Sequence, residues 1–155
     1  MQRANLDRID RQLLDLLQQD ARLTTAQLAD KVGLSSSPCA RRVRHLEESG
    51  LIQTYRAQLD RTKLGLGVTI FVHVRLSRHT ESVVADFEEK VRNMDEVVNC
   101  HTVSGPFDYL LQVVSADLPG YERWVRRLQS LPAVNNIDSS FAIRSVKEHG
   151  PLPIY

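Results

Sequence analysis

Three arginines, Arg41, Arg42 and Arg44, lie in a stretch, residues 34–46, that contains no acidic residue. A guanidinium is a planar fork of donors. It pairs bidentately with a guanine edge, worth about 1–3 kcal/mol of base discrimination, or grips a phosphate, which positions without specifying. Just upstream, Ser35-Ser36-Ser37-Pro38 combines hydroxyls with a proline. Ser36 and Ser37 either reach phosphate or base, or cap a helix, with capping favoured for Ser37. Thr25 and Gln27 open another helix, whose N-terminus suits phosphate; capping is the equal alternative. His45 reads as a solvated surface histidine. The chemistry on offer is recognition of double-stranded DNA.

Charge placement agrees. The formal net charge is +1, so the chain is no general polyanion binder. Residues 1–63 hold 11 Lys/Arg against 8 Asp/Glu, and residues 64–155 hold 9 against 11. The basic excess is local, as in a specific DNA reader.

A second cluster, His101, Ser104 and Asp108, invites comparison with a hydrolase. The three belong to neighbouring strands of a predicted hairpin, and strand alternation does not bring them together. No Gly-x-Ser-x-Gly, His-Glu-x-x-His, phosphate-binding loop or Cys-x-x-Cys occurs. The chain reads as a non-enzyme. Cys39 and Cys100 lack zinc-type spacing and are expected as reduced, packed thiols, with no metal and no cofactor. Composition is ordinary for a globular chain, 42% apolar and 25% charged. No apolar run reaches the ~18 residues of a membrane span, and the first residues lack a signal-peptide core. A cytoplasmic location without membrane partners is expected.

Elements that would position the arginines are legible. Asp7 caps a first helix ending near Asp20, with Ile9, Leu13, Leu16 and Leu17 on one stripe. Thr24 and Gln27 form a capping box for a second helix, which buries Leu28, Ala29 and Val32 and stops at Gly33. Ser37 as cap places Pro38 at the first position of a third helix. There Cys39, Val43 and Leu46 turn inward, while Ser37, Ala40, Arg41, Arg44 and Glu48 turn outward and Arg42 sits at the boundary. Arg42 therefore either reaches a phosphate or braces the fold. Two short helices joined by a glycine turn after a supporting helix make a helix-turn-helix. Residues 51–57 follow as a wing, which closes a DNA-binding domain at 1–57. Residues 58–66 are a linker.

Residues 67–155 carry a different rhythm. Val68, Ile70, Val72, Val74 and Leu76 alternate as a strand. A helix is predicted over 80–94, strands over 97–104 and 107–115 around Gly105-Pro106, a helix over 117–131, and a strand over 135–147. The order β-α-β-β-α-β specifies a ferredoxin-like domain, which makes the chain α+β. Tyr109, Leu111 and Val113 alternate with Leu110 and Val114, so both sheet faces read as apolar. Such a face calls for a partner, and a homodimer is expected. The tail, residues 150–155, is expected to extend over a neighbouring subunit.

The motifs Leu6-Asp7-Arg8-Ile9-Asp10, Gly33-Leu34-Ser35-Ser36-Ser37-Pro38-Cys39, Arg42-Val43, Leu46-Glu47 and Gly50-Leu51-Ile52 resemble the leucine-responsive/asparagine regulator (Lrp/AsnC) family. Val103-Ser104-Gly105, Asp108-Tyr109 and Val146-Lys147 resemble its second domain. The resemblance implies transcription regulation, dimers that assemble into octamers, and an amino-acid or related effector bound where subunits meet, near the hairpin. On that reading Asp108 holds an ammonium, and Ser104, Tyr109 and Ser140 add hydrogen bonds. Val103, Gly105, Pro106 and Leu118 shape an apolar wall. The alternative is that Gly105-Pro106 is a tight turn capped by Asp108. The family commonly carries an acidic residue where this chain has Pro106, which offers neither carboxylate nor N–H. Leucine and asparagine are therefore not carried over as the effector.

Overall fold

The computed structural model describes residues 5–155. The chain forms two compact units. One comprises residues up to Gln58 with Lys147–Tyr155, and the other is Leu59–Val146.

The first unit is helical, with α1 (Arg8–Gln19), α2 (Thr25–Val32) and α3 (Ser36–Glu48). Local chemistry sets the starts of α1 and α2. Asp7 accepts from the Asp10 N–H at 2.8 Å, and Asp10 reaches back to the Asp7 N–H. Thr24 and Gln27 close the same reciprocal box around α2. Gly33 ends α2 at φ 70°, a left-handed conformation costly for a side chain with Cβ. Leu13, Leu28, Ala29, Cys39 and Leu46 are buried, and Ile9, Leu16, Leu17, Val32, Val43 and Ile52 pack around them.

One sequence expectation changes here. Helix α3 is capped by Ser35, not Ser37, and Pro38 is its third residue. The first helical bond runs from the Cys39 N–H to the Ser35 carbonyl. Pro38 therefore still occupies a position whose N–H would have no partner in the helix. The wing carries no strand pairing: residues 53–60 have no regular structure. It is held instead by the Ile52 N–H on the Leu46 carbonyl and by the Tyr55 hydroxyl donating to Glu47 at 2.9 Å. Burial first, then Glu47, pushes the Tyr55 phenol up to about 12.

The C-terminal tail lies against its own α1. The Leu152 N–H donates to the Gln18 side-chain oxygen at 2.6 Å, and the Gln18 amide donates back to the Leu152 carbonyl at 3.1 Å.

The second unit comprises β1 (Val68–Leu76), α4 (Glu81–Arg92), β2 (Val97–Thr102), β3 (Tyr109–Ser115), α5 (Leu118–Gln129) and β4 (Val134–Phe141). The strands form one antiparallel sheet in the order β2-β3-β1-β4, the ferredoxin-like arrangement. Ile70, Val72 and Val74 of β1 and Leu111 and Val113 of β3 are buried with Phe87, Trp124 and Leu128 of the helices. The rings of Phe87 and Tyr109 lie 4.7 Å apart. Asp117 caps α5 through the Gly120 N–H.

Strand β4 ends at Phe141 rather than Lys147. The last bond toward β1 is from the Ala142 N–H to Thr69. Because β1 begins at Val68, the chain beyond has no strand to pair with. Ile143 and Val146 are left almost fully exposed.

The face of the sheet away from the helices is mixed, not apolar throughout. One row runs Asp138, His73, Leu110, His101, and the next runs Ser140, Phe71, Gln112, Asn99. Phe71 is exposed and Leu110 half-buried. Val114 is buried, as is Thr69, whose hydroxyl accepts from Arg61. Alternation put Leu110, Val114 and Phe71 on this face, but the neighbouring strands supply mostly polar side chains. Cys39 is buried, whereas Cys100 is an exposed thiol and not a packed one.

Candidate nucleic-acid interface and effector region

The outward surface of α3 begins with exposed Ser36 and Ser37 and continues through exposed Arg41, Arg44, His45 and Glu48. Neither Arg41 nor Arg44 takes part in an ion pair among the described residues. Arg42 differs. Its Nη1 sits 2.7 Å from Asp7 and 2.8 Å from Asp10, which ties α3 to the cap of α1. These two carboxylates raise the guanidinium's affinity for its proton. The Asp10 N–H first, then Arg42, hold the Asp7 carboxyl below its usual range. Of the two roles open to Arg42, bracing is the one its geometry fills. The signal was in the sequence as a pair of acids three apart beside the cap.

Thr25 and Gln27 are exposed at the start of α2. The Gln27 oxygen accepts the Thr24 N–H at 2.9 Å, so the side chain is engaged in capping. Its amide nitrogen is directed to no protein acceptor among the described residues.

The proposed effector residues do not converge within one subunit. Ser104, Gly105 and Pro106 form an exposed turn, with Gly105 at φ 118°. Val103 is half-buried, and its N–H donates to the Asp108 carbonyl at 2.9 Å. The Asp108 carboxylate is occupied: it accepts the Leu76 N–H at 2.7 Å and faces His79 Nε2 at 2.8 Å. The Leu76 N–H first, then His79, lower its pKa. The Asp108 carboxylate thus ties the hairpin to the end of β1; its partners among the described residues include neither the Gly105-Pro106 turn, which it would cap on the alternative reading, nor His101 or Ser104.

Tyr109 points to the opposite side. It is buried on the helix face, and its hydroxyl donates to Glu88 at 2.8 Å. Burial first, then Glu88, push its phenol up. Ser140 pairs with Phe71, five residues along β1 from the Leu76 N–H that Asp108 caps, roughly 17 Å away. Leu118 opens α5, beyond the far end of β3 from the hairpin, at least roughly 20 Å distant. His79 and Glu88 were not anticipated. Both partners come from sequence-distant elements, and no local pattern marks them.

Tyr109 and Glu88 also line a cleft of about 380 Å³ between α4 and β2. Val91 and Val97 form apolar walls, and Arg92 and Thr102 are polar lining. Cys100 lines this cleft; though exposed, its thiol is pushed up first by the partial loss of water against α4 and then by the charge of Glu88.

Comparison with known proteins follows the same division. Residues 6–53 match a family model described as winged helix-turn-helix DNA-binding, and residues 69–152 match one described as the Lrp/AsnC ligand binding domain. The chain is 41% identical over 152 residues to the Bkd operon transcriptional regulator of Pseudomonas aeruginosa, covering 97% of this chain and 99% of that protein. It is 39% identical to the leucine-responsive regulatory protein of Escherichia coli, covering 97% and 92%. A Neisseria meningitidis transcriptional regulator solved with L-Met superposes with a TM-score of 0.92 at 35% identity, covering 96% of this chain and 97% of that one. With a helix-turn-helix in one unit, a ferredoxin-like sheet in the other, and both matched in order, the chain belongs to the Lrp/AsnC family of transcription regulators.

Proposed function

We propose that this regulator reads double-stranded DNA with the exposed side of α3, and that an amino acid bound in the sheet unit modulates that binding. Arg41 and Arg44 make base or phosphate contacts in the major groove, and Ser36 and Ser37 reach the backbone at the start of the helix. Thr25 and the amide of Gln27 touch a neighbouring phosphate at the N-terminus of α2. Arg42 holds α3 in place. The observation that carries the reading is the contrast along one helix: Arg42 is engaged by two aspartates, while Arg41 and Arg44 are exposed with no ion-pair partner among the described residues. The helical unit serves as the reader and the sheet unit, Leu59–Val146, as the sensor, in the cytoplasm and without catalysis.

The effector reading rests on the family and on the Neisseria relative, which holds L-Met. The hairpin, Leu118 and Ser140 are separated in one subunit, so a site using all of them draws on more than one. The protein then works as a homodimer that assembles toward an octamer. Phe71 and Leu110 on the open sheet face support that assembly.

The test selects bound duplexes from a random library and measures affinity against salt. The Arg41→Ala/Arg44→Ala double variant is expected to stay folded, lose tenfold or more in affinity, and reduce the salt slope by up to about 2. Full retention of sequence-specific binding removes the assignment.

A further inference from the structure

We propose that the cleft between α4 and β2 is a binding site for a free α-amino acid with an apolar side chain, lying within a single subunit and separate from the hairpin. This rests on the reading that the effector is an amino acid.

The cleft presents the three features a zwitterion with an apolar side chain needs. Glu88 is fixed, because Tyr109 donates to its Oε1 at 2.8 Å, and its other oxygen, with no hydrogen-bond partner among the described residues, can accept an ammonium. Arg92 stands one helical turn further along α4, on the same side of the helix. It has no ion-pair partner among the described residues, Glu88 included. A carboxylate is the ligand a guanidinium fork fits best. The Cβ atoms of the two residues lie roughly 6 Å apart along one helix, so both side chains can reach the two ends of one amino acid. Val91 and Val97 then line the space for the side chain, and Thr102 adds a hydroxyl. A volume of about 380 Å³ falls in the range of small-ligand sites, about 300–1,000 Å³.

The position gives such a ligand leverage. Tyr109 opens β3 directly after Asp108, whose carboxylate caps β1 and whose backbone joins the hairpin. A ligand that pulls on Glu88 acts on the tyrosine it holds, and so on the residue next to the hairpin. It shifts the hairpin only to the extent that it prefers one arrangement of that residue.

The experiment is calorimetric titration of the full-length protein with a panel of the common L-amino acids. Methyl-resolved NMR of Val91 and Val97 accompanies it. For the tightest binder, Glu88→Gln and Arg92→Ala are each expected to weaken affinity tenfold or more, and Arg126→Ala, on the exposed side of α5, to leave it within twofold. Both valine methyls shift on saturation of the wild-type chain. Glu88→Gln keeps an acceptor for Tyr109, so its loss of affinity reports the charge and not the fold. If wild-type protein binds an amino acid but both cleft variants bind equally well and the valine methyls stay still, the cleft is overturned and the amino-acid reading survives. If wild-type protein binds none of the panel, that reading fails and the cleft falls with it.

Discussion

Arg42 reaches from the middle of α3 to Asp7, 2.7 Å away at the cap of α1, and meets Asp10 in the same movement. One guanidinium thereby sets the angle of the recognition helix against its support. The arginines on either side of it in the sequence remain available to a ligand.

This division separates two kinds of variant. Arg42→Ala is expected to lower the melting temperature of the helical unit by a few degrees, since a partly exposed ion pair contributes modestly. DNA affinity then falls only in proportion to lost order. Arg41→Ala is expected to leave the melting temperature unchanged and to cut affinity directly. Thermal denaturation beside a binding isotherm for each single variant checks this. A stable Arg42→Ala protein that loses binding as steeply as Arg41→Ala would show that the assignments are reversed.

The tail offers an independent check on what holds the helical unit together. Gln18 exchanges two hydrogen bonds with the backbone of Leu152 across 134 positions of sequence. Each such bond contributes about 0.5–1.5 kcal/mol at most, and less where water competes. Gln18→Ala is expected to raise hydrogen exchange at Leu152 and at the end of α1, while the sheet unit keeps its protection. Unchanged exchange at Leu152 would mean that this contact does not hold the tail.

How far these features were legible depends on the range of the interaction. The caps at Asp7 and Thr24 involve residues three apart, so the sequence pattern and the hydrogen bonds coincide. The sheet order followed from the succession of elements. The start of α3 was misplaced by two residues because a proline is tolerated anywhere in a first turn. The end of β4 was overextended because it depends on where its partner begins. The effector cluster was grouped by nearness in sequence, yet adjacent strand residues face opposite ways. Asp108 and Tyr109, one residue apart, engage His79 and Glu88 on different sides of the sheet. Only the three-dimensional pairing reveals such partners.

Asp108 also makes an acid-side prediction. The Leu76 N–H and His79 favour its ionised form and lower its pKa from the ordinary 3.8. A carboxyl with a lowered folded value contributes stability above the unfolded value, and that stability is lost as pH falls through the folded one. Wild-type protein is therefore expected to lose denaturant resistance between about pH 5 and about pH 2 more steeply than Asp108→Asn. Asp7 titrates in both proteins, so the difference between the two curves isolates Asp108. Parallel curves would mean that this carboxylate gains nothing from its neighbours on folding.

The open sheet face supplies the last test. Leu110 lies half-buried between His73 and His101, with Phe71 in the adjacent row. In a symmetric assembly through this face, a leucine at its centre meets apolar surface of the second copy, and a cation there meets its own image. Removal of a lysine ammonium from water without a counter-charge is costly enough to prevent such contact. Leu110→Lys is expected to leave the subunit fold intact, because the side chain points away from the helices. Sedimentation velocity is expected to show smaller species than wild type at equal concentration. DNA binding should weaken at the same time, since paired readers lose their coupling when subunits part. An unchanged sedimentation coefficient would place the subunit contact elsewhere, with the exposed Ile143 and Val146 as the next surface to alter.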